Sequence, residues 1–264
     1  MQHKIIFYLV LILSINFKAE INVEPGELFA IKLSDCPKLI KEDELFIEHN
    51  NTEYVILPAS YTTKDIRLNQ YCTSVRINKK NFGESRITIQ DTSKVNLNKN
   101  DSERAYKESL LIKEALRSYS RELKPSINFI NPVDGLISSR YGKQRFINDQ
   151  PRSPHLALDI AAPNGTKIVA PSAGKVVLIG DFFYSGNFLI LDHGYGLLTS
   201  YSHMSKIHVK KNEYIQQGEL IGEVGATGRV TGPHLHWSVY VSGERVNPEL
   251  IIQNNFLENL FNSF

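Results

Sequence analysis

Charge and cysteine are both in short supply as sources of function in this chain. Lysine and arginine number 30 against 28 aspartate and glutamate, a formal charge of +2, which removes the electrostatic case for a nucleic-acid partner. Cysteine occurs only at Cys36 and Cys72, so at most one disulfide can form. The HExxH motif, which sets a glutamate base beside a metal, is absent. The apolar run from Ile5 to Ile15 is too short to span a bilayer comfortably, and no cysteine follows it to make a lipoprotein. Behind Met1, Gln2, His3 and Lys4, that run reads as a signal peptide over residues 1–19 with Ala19 as a cleavage point. Phe17 suits the position before that cleavage poorly, so an uncleaved membrane anchor is the alternative, and export is expected in either case.

What the chain does have is histidine in a pattern. Six of its eight histidines lie between His155 and His236. The stretch GATGRVTGPHLHW, Gly225 to Trp237, carries His234 and His236 in an alternating run that reads as a strand, so both imidazoles leave one face and Leu235 the other. Gly225, Gly228 and Gly232 with Pro233 supply a permissive loop ahead of that strand. Two rings side by side need partners for four nitrogens, and a metal supplies them. HLALD, His155 to Asp159, reads as a second strand with His155, Ala157 and Asp159 on one face. YSH, Tyr201 to His203, is expected to put Tyr201 and His203 on one face of a third.

These three motifs, in this order, resemble the lysostaphin-type (LytM-type) zinc metallopeptidases, peptidoglycan endopeptidases. The resemblance covers roughly Ile130 to Pro248, and the turns SSRYG (Ser138 to Gly142), APNGTKIVAPSAGKV (Ala162 to Val176) and LDHGYG (Leu191 to Gly196) agree with it. Carried over by position, it implies one zinc per chain held by His155, Asp159 and His236, with His203 and His234 as catalytic histidines. It implies an all-β catalytic domain, an antiparallel sheet with a groove. The implied substrate is peptidoglycan peptide, and the absence of wall-anchoring repeats favours a periplasmic form cutting a D-alanyl to diaminopimelate crosslink. Family members that have lost ligands activate cell-wall amidases, and others act on glycine-rich or secreted proteins; these remain the alternatives.

The rest of the chain divides by composition. Residues 21–95 read as a smaller β-sandwich-like domain: Leu28 to Leu33, Leu45 to His49, Glu53 to Leu57, Thr73 to Ile77 and Arg86 to Ile89 are short strands, with Asn50 and Asn51 as a hairpin turn. Cys36 and Cys72 both fall here, as a disulfide or as two buried thiols. Residues 96–128 hold a connecting helix, Asn100 to Glu122, capped by Asn100. The metallopeptidase domain is expected over 129–250 and a helical tail over 251–264, with Ile252, Phe256, Leu260 and Phe264 on one stripe. DFFYSGN, Asp181 to Asn187, is expected to wall the groove, its aromatics either lining it or packing. His193 and His208 are read as structural or surface residues. The region from Ile21 to Val95 is expected to lie near the groove and limit access to it. Oligomeric state has no sequence signal.

Overall fold

The computed structural model describes residues 21–36, 44–62 and 74–262. The expected leader over 1–19, Cys72 and Phe264 lie outside the described residues. The N-terminal region contributes β1 (Ile21–Val23), β2 (Leu28–Lys32), β3 (Leu45–His49), β4 (Thr52–Pro58), β5 (Val75–Ile77) and β6 (Glu84–Ile87). Helix α1 (Lys99–Ala115) follows. The larger part of the chain then runs through β7 (Leu136–Ser139), β8 (Gln144–Ile147), β9 (Gln150–Arg152), β10 (Leu158–Ala161), β11 (Lys167–Val169) and β12 (Gly174–Phe182). It continues as β13 (Gly186–Gly194), β14 (Leu197–Met204), β15 (Lys206–Ile207), β16 (Tyr214–Ile215), β17 (Leu220–Glu223), β18 (His234–Val241) and β19 (Glu244–Val246). Two short helices, α2 (Pro248–Ile251) and α3 (Phe256–Asn262), close the described chain.

The main sheet is antiparallel, in the order β16-β12-β13-β14-β18-β10-β7, with β19 paired to β18. Period-two alternation divides its two faces. Leu158, Ile160, Leu189, Leu191, Tyr201, Leu235, Trp237, Val239 and Val241 all face one core. The small sheet β2-β4-β3 covers that core through Ala30, Leu45, Tyr54 and Ile56. Its own opposite face, Phe29, Ile31, Val55 and Leu57, packs on Val23, Val75 and Ile77 of the parallel β1-β5 pair. The middle strand β4 is therefore apolar on both sides, and its near-continuous run Tyr54–Leu57 follows from that. Asn50 and Asn51 make the β3-β4 turn with φ of 49° and 58°, the left-handed pair a two-residue hairpin takes. Cys36 is buried and disulfide-bonded.

The connecting helix differs from its expected span at both ends. Asn98, not Asn100, caps it, its Oδ1 accepting from the Asp101 N–H at 2.9 Å. It ends at Ala115 in a turn, the Arg117 and Ser118 N–H groups donating to the Glu114 and Ala115 carbonyls, and the residues beyond are tied to other elements. Ser118 and Ser120 hydroxyls donate to Asp192 Oδ2 at 2.5 and 2.7 Å, and the Tyr119 hydroxyl donates to the Glu44 carbonyl at 2.8 Å. Ile112, Ala115 and Leu116 lie on Phe182, Phe188, Ile190, Leu198 and Tyr240, so α1 covers one end of the second sheet face. Among the described residues no helix is long and apolar enough to cross a membrane.

The tail docks on the protein's own surface, as two short helices rather than one stripe. Asn247 caps α2, accepting from the Glu249 N–H at 3.2 Å, with Pro248 at its first position. Phe256, Leu260 and Phe261 of α3 are buried, and the Phe261 ring stacks on His49 at 4.2 Å.

Candidate metal centre and groove

Strand register brings the expected ligands together. Asp159 of β10 pairs with Ser139 of β7 on one side and His236 of β18 on the other, and His236 pairs with Ser202 of β14. Residues directly opposite share a face, so these four side chains form a line across the sheet on the face not filled by the core. His234, paired with Ala161, is on the same face. His155 lies just before β10, its backbone held by Lys143 and Gly142 at 2.8 and 2.7 Å.

His155 Nε2 is 3.0 Å from Asp159 Oδ1 and 3.3 Å from His236 Nδ1, and His236 Nδ1 is 2.6 Å from the same Oδ1. The three ligand atoms lie within 4.8 Å of one another. On its other nitrogen, Nδ1, His155 donates to the Arg140 carbonyl at 3.0 Å, which turns the Nε2 lone pair inward. Burial works to raise the Asp159 carboxyl, but His236 and His155 beside it outweigh this and hold it well below the usual carboxylate range. Burial pushes His236 down to about 4 against the pull of Asp159. Two imidazoles and an ionised carboxylate, converging and oriented from behind, fit the donor set of a divalent-metal site of the peptidase type.

His203 reaches the groove by a route that alternation does not predict. Ser202 faces the site, so a regular strand would send His203 into the core beside Tyr201. Between the pairs Leu189–Tyr201 and Asn187–Met204, β14 advances three residues while β13 advances two, a bulge. His203 sits in it at a φ of 66°, which turns its ring to the groove. Tyr201 is fully buried in the core, so the two do not share a face. His203 Nδ1 donates to the Thr227 carbonyl and His234 Nδ1 to the Gly232 carbonyl, each at 2.9 Å. Their rings are 4.8 Å apart between centroids, with the Nε2 edge of His234 4.0 Å from Asp159 Oδ1. Burial, with His236 and His234 nearby, pushes His203 down to about 3.

Around these residues is a cavity of about 330 Å³. DFFYSGN forms the tip of the β12-β13 hairpin and splits in role: Phe182 is buried against Phe188, whereas Tyr184 and Ser185 line the cavity. Gly228 turns the facing loop at φ 77°, where an added Cβ would meet the Tyr184 carbonyl oxygen at 2.6 Å. His193 is structural, its Nδ1 2.7 Å from the Ala173 carbonyl and its Nε2 2.8 Å from Thr199 Oγ1; His208 bonds Glu223 at the surface.

Several groove residues carry no sequence signal. Strand β6 joins β8 in parallel, and Ser85, Ile87 and Ile89 line the cavity from the N-terminal side. Asn148 clasps the backbone of Ile89 at 2.8 and 3.0 Å. Across the groove, Lys94 Nζ donates to the Gly228 carbonyl at 2.8 Å, and Arg229 donates back to the Lys94 carbonyl at 3.4 Å. Residues 84–96 thus bridge the two walls. Arg145 of β8 stands 3.5 Å from the outer oxygen of Asp159.

Residues 153–248 match the model of peptidase family M23. Over 119 residues the chain is 42% identical to peptidoglycan DD-endopeptidase ShyA of Vibrio cholerae, covering 44% of this chain and 28% of that one. It is 39% identical over 94 residues to DD-carboxypeptidase/endopeptidase Mpg of Neisseria meningitidis, covering 36% and 22%. The chain thus spans under a third of the length of these curated relatives. A crystal structure from Pseudomonas aeruginosa, assigned to peptidase M23, superposes with a TM-score of 0.64 at 28% identity, over 89% of this chain and 96% of that one. His155, Asp159, His203, His234 and His236 all fall inside residues 153–248, the span that matches the peptidase family M23 model.

Proposed function

We propose that the protein is a zinc-dependent endopeptidase that hydrolyses peptide crosslinks of bacterial peptidoglycan. The observation that carries this reading is the convergence of His155 Nε2, Asp159 Oδ1 and His236 Nδ1 within a family whose relatives here are named peptidoglycan DD-endopeptidases. Those three atoms would hold one zinc. A zinc ion there supplies Lewis acidity toward the scissile carbonyl and toward water.

His203 and His234 handle the proton. Each has its Nδ1 hydrogen engaged by a backbone carbonyl, so in the neutral ring Nε2 is a lone pair directed at the groove. Between them they accept a proton from the attacking water and return one to the leaving amine. Residues 129–250 act as the catalytic domain, and residues 21–95 limit access to its groove. The protein works in the cell envelope after export, either released or anchored through its N-terminus.

Purified protein incubated with sacculi of different wall types, followed by mass spectrometry of the released ends, tests the reading. New amino and carboxyl ends at peptide crosslinks are expected; intact crosslinks in every wall type, with stoichiometric zinc bound, would refute it.

A further inference from the structure

Past His236 the groove opens into a second cavity of about 430 Å³. Its lining is cationic: Arg145, Arg152, Arg229 and Arg245 reach it, and no aspartate or glutamate among the described residues does. Arg145 has Asp159 at 3.5 Å, whereas the other three make no ion pair with a carboxylate among the described residues. Their partners are neutral. Arg229 donates to the Lys94 carbonyl and lies 4.2 Å over the Tyr184 ring; Arg152 donates to Gln150 Oε1 at 2.6 Å and the Val95 carbonyl at 3.5 Å; Arg245 donates to the Tyr240 hydroxyl at 3.3 Å. A guanidinium has five donors, so Arg229 and Arg245 keep most of theirs.

A solvated basic surface is the ordinary explanation for grouped arginines, and it fits poorly here. Arg145, Arg152 and Arg229 are half-buried, Arg245 is exposed, and all four share the cavity with His236. Burial, with Arg145 and Arg152 close by, lowers the Arg229 pKa, whereas Tyr240 raises that of Arg245, so the repulsion falls on Arg229. An anion in the cavity would relieve that repulsion, and guanidinium takes a planar carboxylate in bidentate fashion.

We propose that this cavity is a carboxylate-binding subsite, through which the groove selects peptides bearing a free carboxylate near the scissile bond. This rests on the peptidase reading and specifies the charge of its substrate. The carboxylate comes either from a peptide end or from a side chain within the peptide.

The test uses the full exported chain, loaded with zinc, and isothermal titration with one peptidoglycan stem peptide in four forms. These have both carboxylates free, the terminal one amidated, the side-chain one amidated, or both amidated. Amidation at one of the two positions is expected to weaken binding about tenfold, equivalent to about 1.4 kcal/mol, and that position identifies the source. Arg229→Gln and Arg245→Gln should each shrink this preference toward about twofold, whereas general damage to the fold would weaken all four forms alike. Equal binding of all four by the unaltered chain overturns the proposal, and so does a preference that survives intact in both variants. Digestion of sacculi alongside keeps the two readings apart. A chain that binds with this preference yet releases no peptide loses its proposed function but keeps the subsite. One that digests sacculi while binding all four alike keeps the function and loses the subsite.

Discussion

Alternate residues of β18 face two different environments. Leu235, Trp237, Val239 and Val241 are each fully buried against a core capped by the N-terminal sheet, while His234 and His236 are partly open to the groove. Stability and chemistry therefore sit on opposite faces of one strand, which allows groove residues to be changed without disturbing the packing beneath them. The N-terminal region touches both faces: β2, β3 and β4 cover the core, and residues 84–96 bridge the groove. A chain begun near Lys124 would lose both contacts together, exposing Trp237's side of the sheet as well as opening the site. Such a truncation cannot isolate the restraint on access.

The sharpest test of the two-face division is on the groove side. His236→Ala should lose both zinc and turnover, because it removes one of the three proposed ligand atoms. His203→Ala and His234→Ala should retain zinc and lose about 10²–10⁴-fold in turnover, the usual worth of a positioned acid or base. Metal analysis beside crosslink cleavage checks this, and equal zinc loss in all three variants would erase the distinction between ligand and proton carrier.

On the core side, Trp237→Ala should cost about 3–5 kcal/mol by denaturant unfolding, the range for deleting a large buried aromatic. His234→Ala should leave the unfolding midpoint nearly where it was. If the two variants unfold together, the faces are not energetically separate.

A smaller effect is expected from the bridge. Lys94→Ala with Asn148→Ala removes side-chain ties at both walls and leaves β2, β3 and β4 in place. Each tie is worth about 0.5–1.5 kcal/mol, so loosening both should raise cleavage of crosslinked substrate several-fold. Unchanged or slower cleavage would make residues 84–96 a supporting wall rather than a restraint.

Much of this was legible in the sequence because period-two alternation is local. His234, Leu235 and His236 announce their faces, and Asn50-Asn51 announces its turn. The ligand set came from the family resemblance, and the strand register then supplied its geometry. The YSH triplet points to His203 but not to the direction of its ring, since a bulge depends on how β14 pairs with β13 and leaves no mark in the triplet. The end of α1 was overrun because Ser118, Tyr119 and Ser120 suit a helix until distant Asp192 and Glu44 claim them. Ser85, Ile87, Arg145 and Arg229 were not found, because what makes them groove residues is contact between segments far apart in the chain.

The left-handed backbone at His203 carries a consequence for how this protein trades stability against activity. A branched or bulky residue held at positive φ stores about 1–3 kcal/mol that glycine would not. His203→Gly should therefore unfold later than His203→Ala, although both lack the ring and both should be nearly inactive. The imidazole that faces the candidate metal centre occupies a position where the backbone would be more relaxed without any side chain.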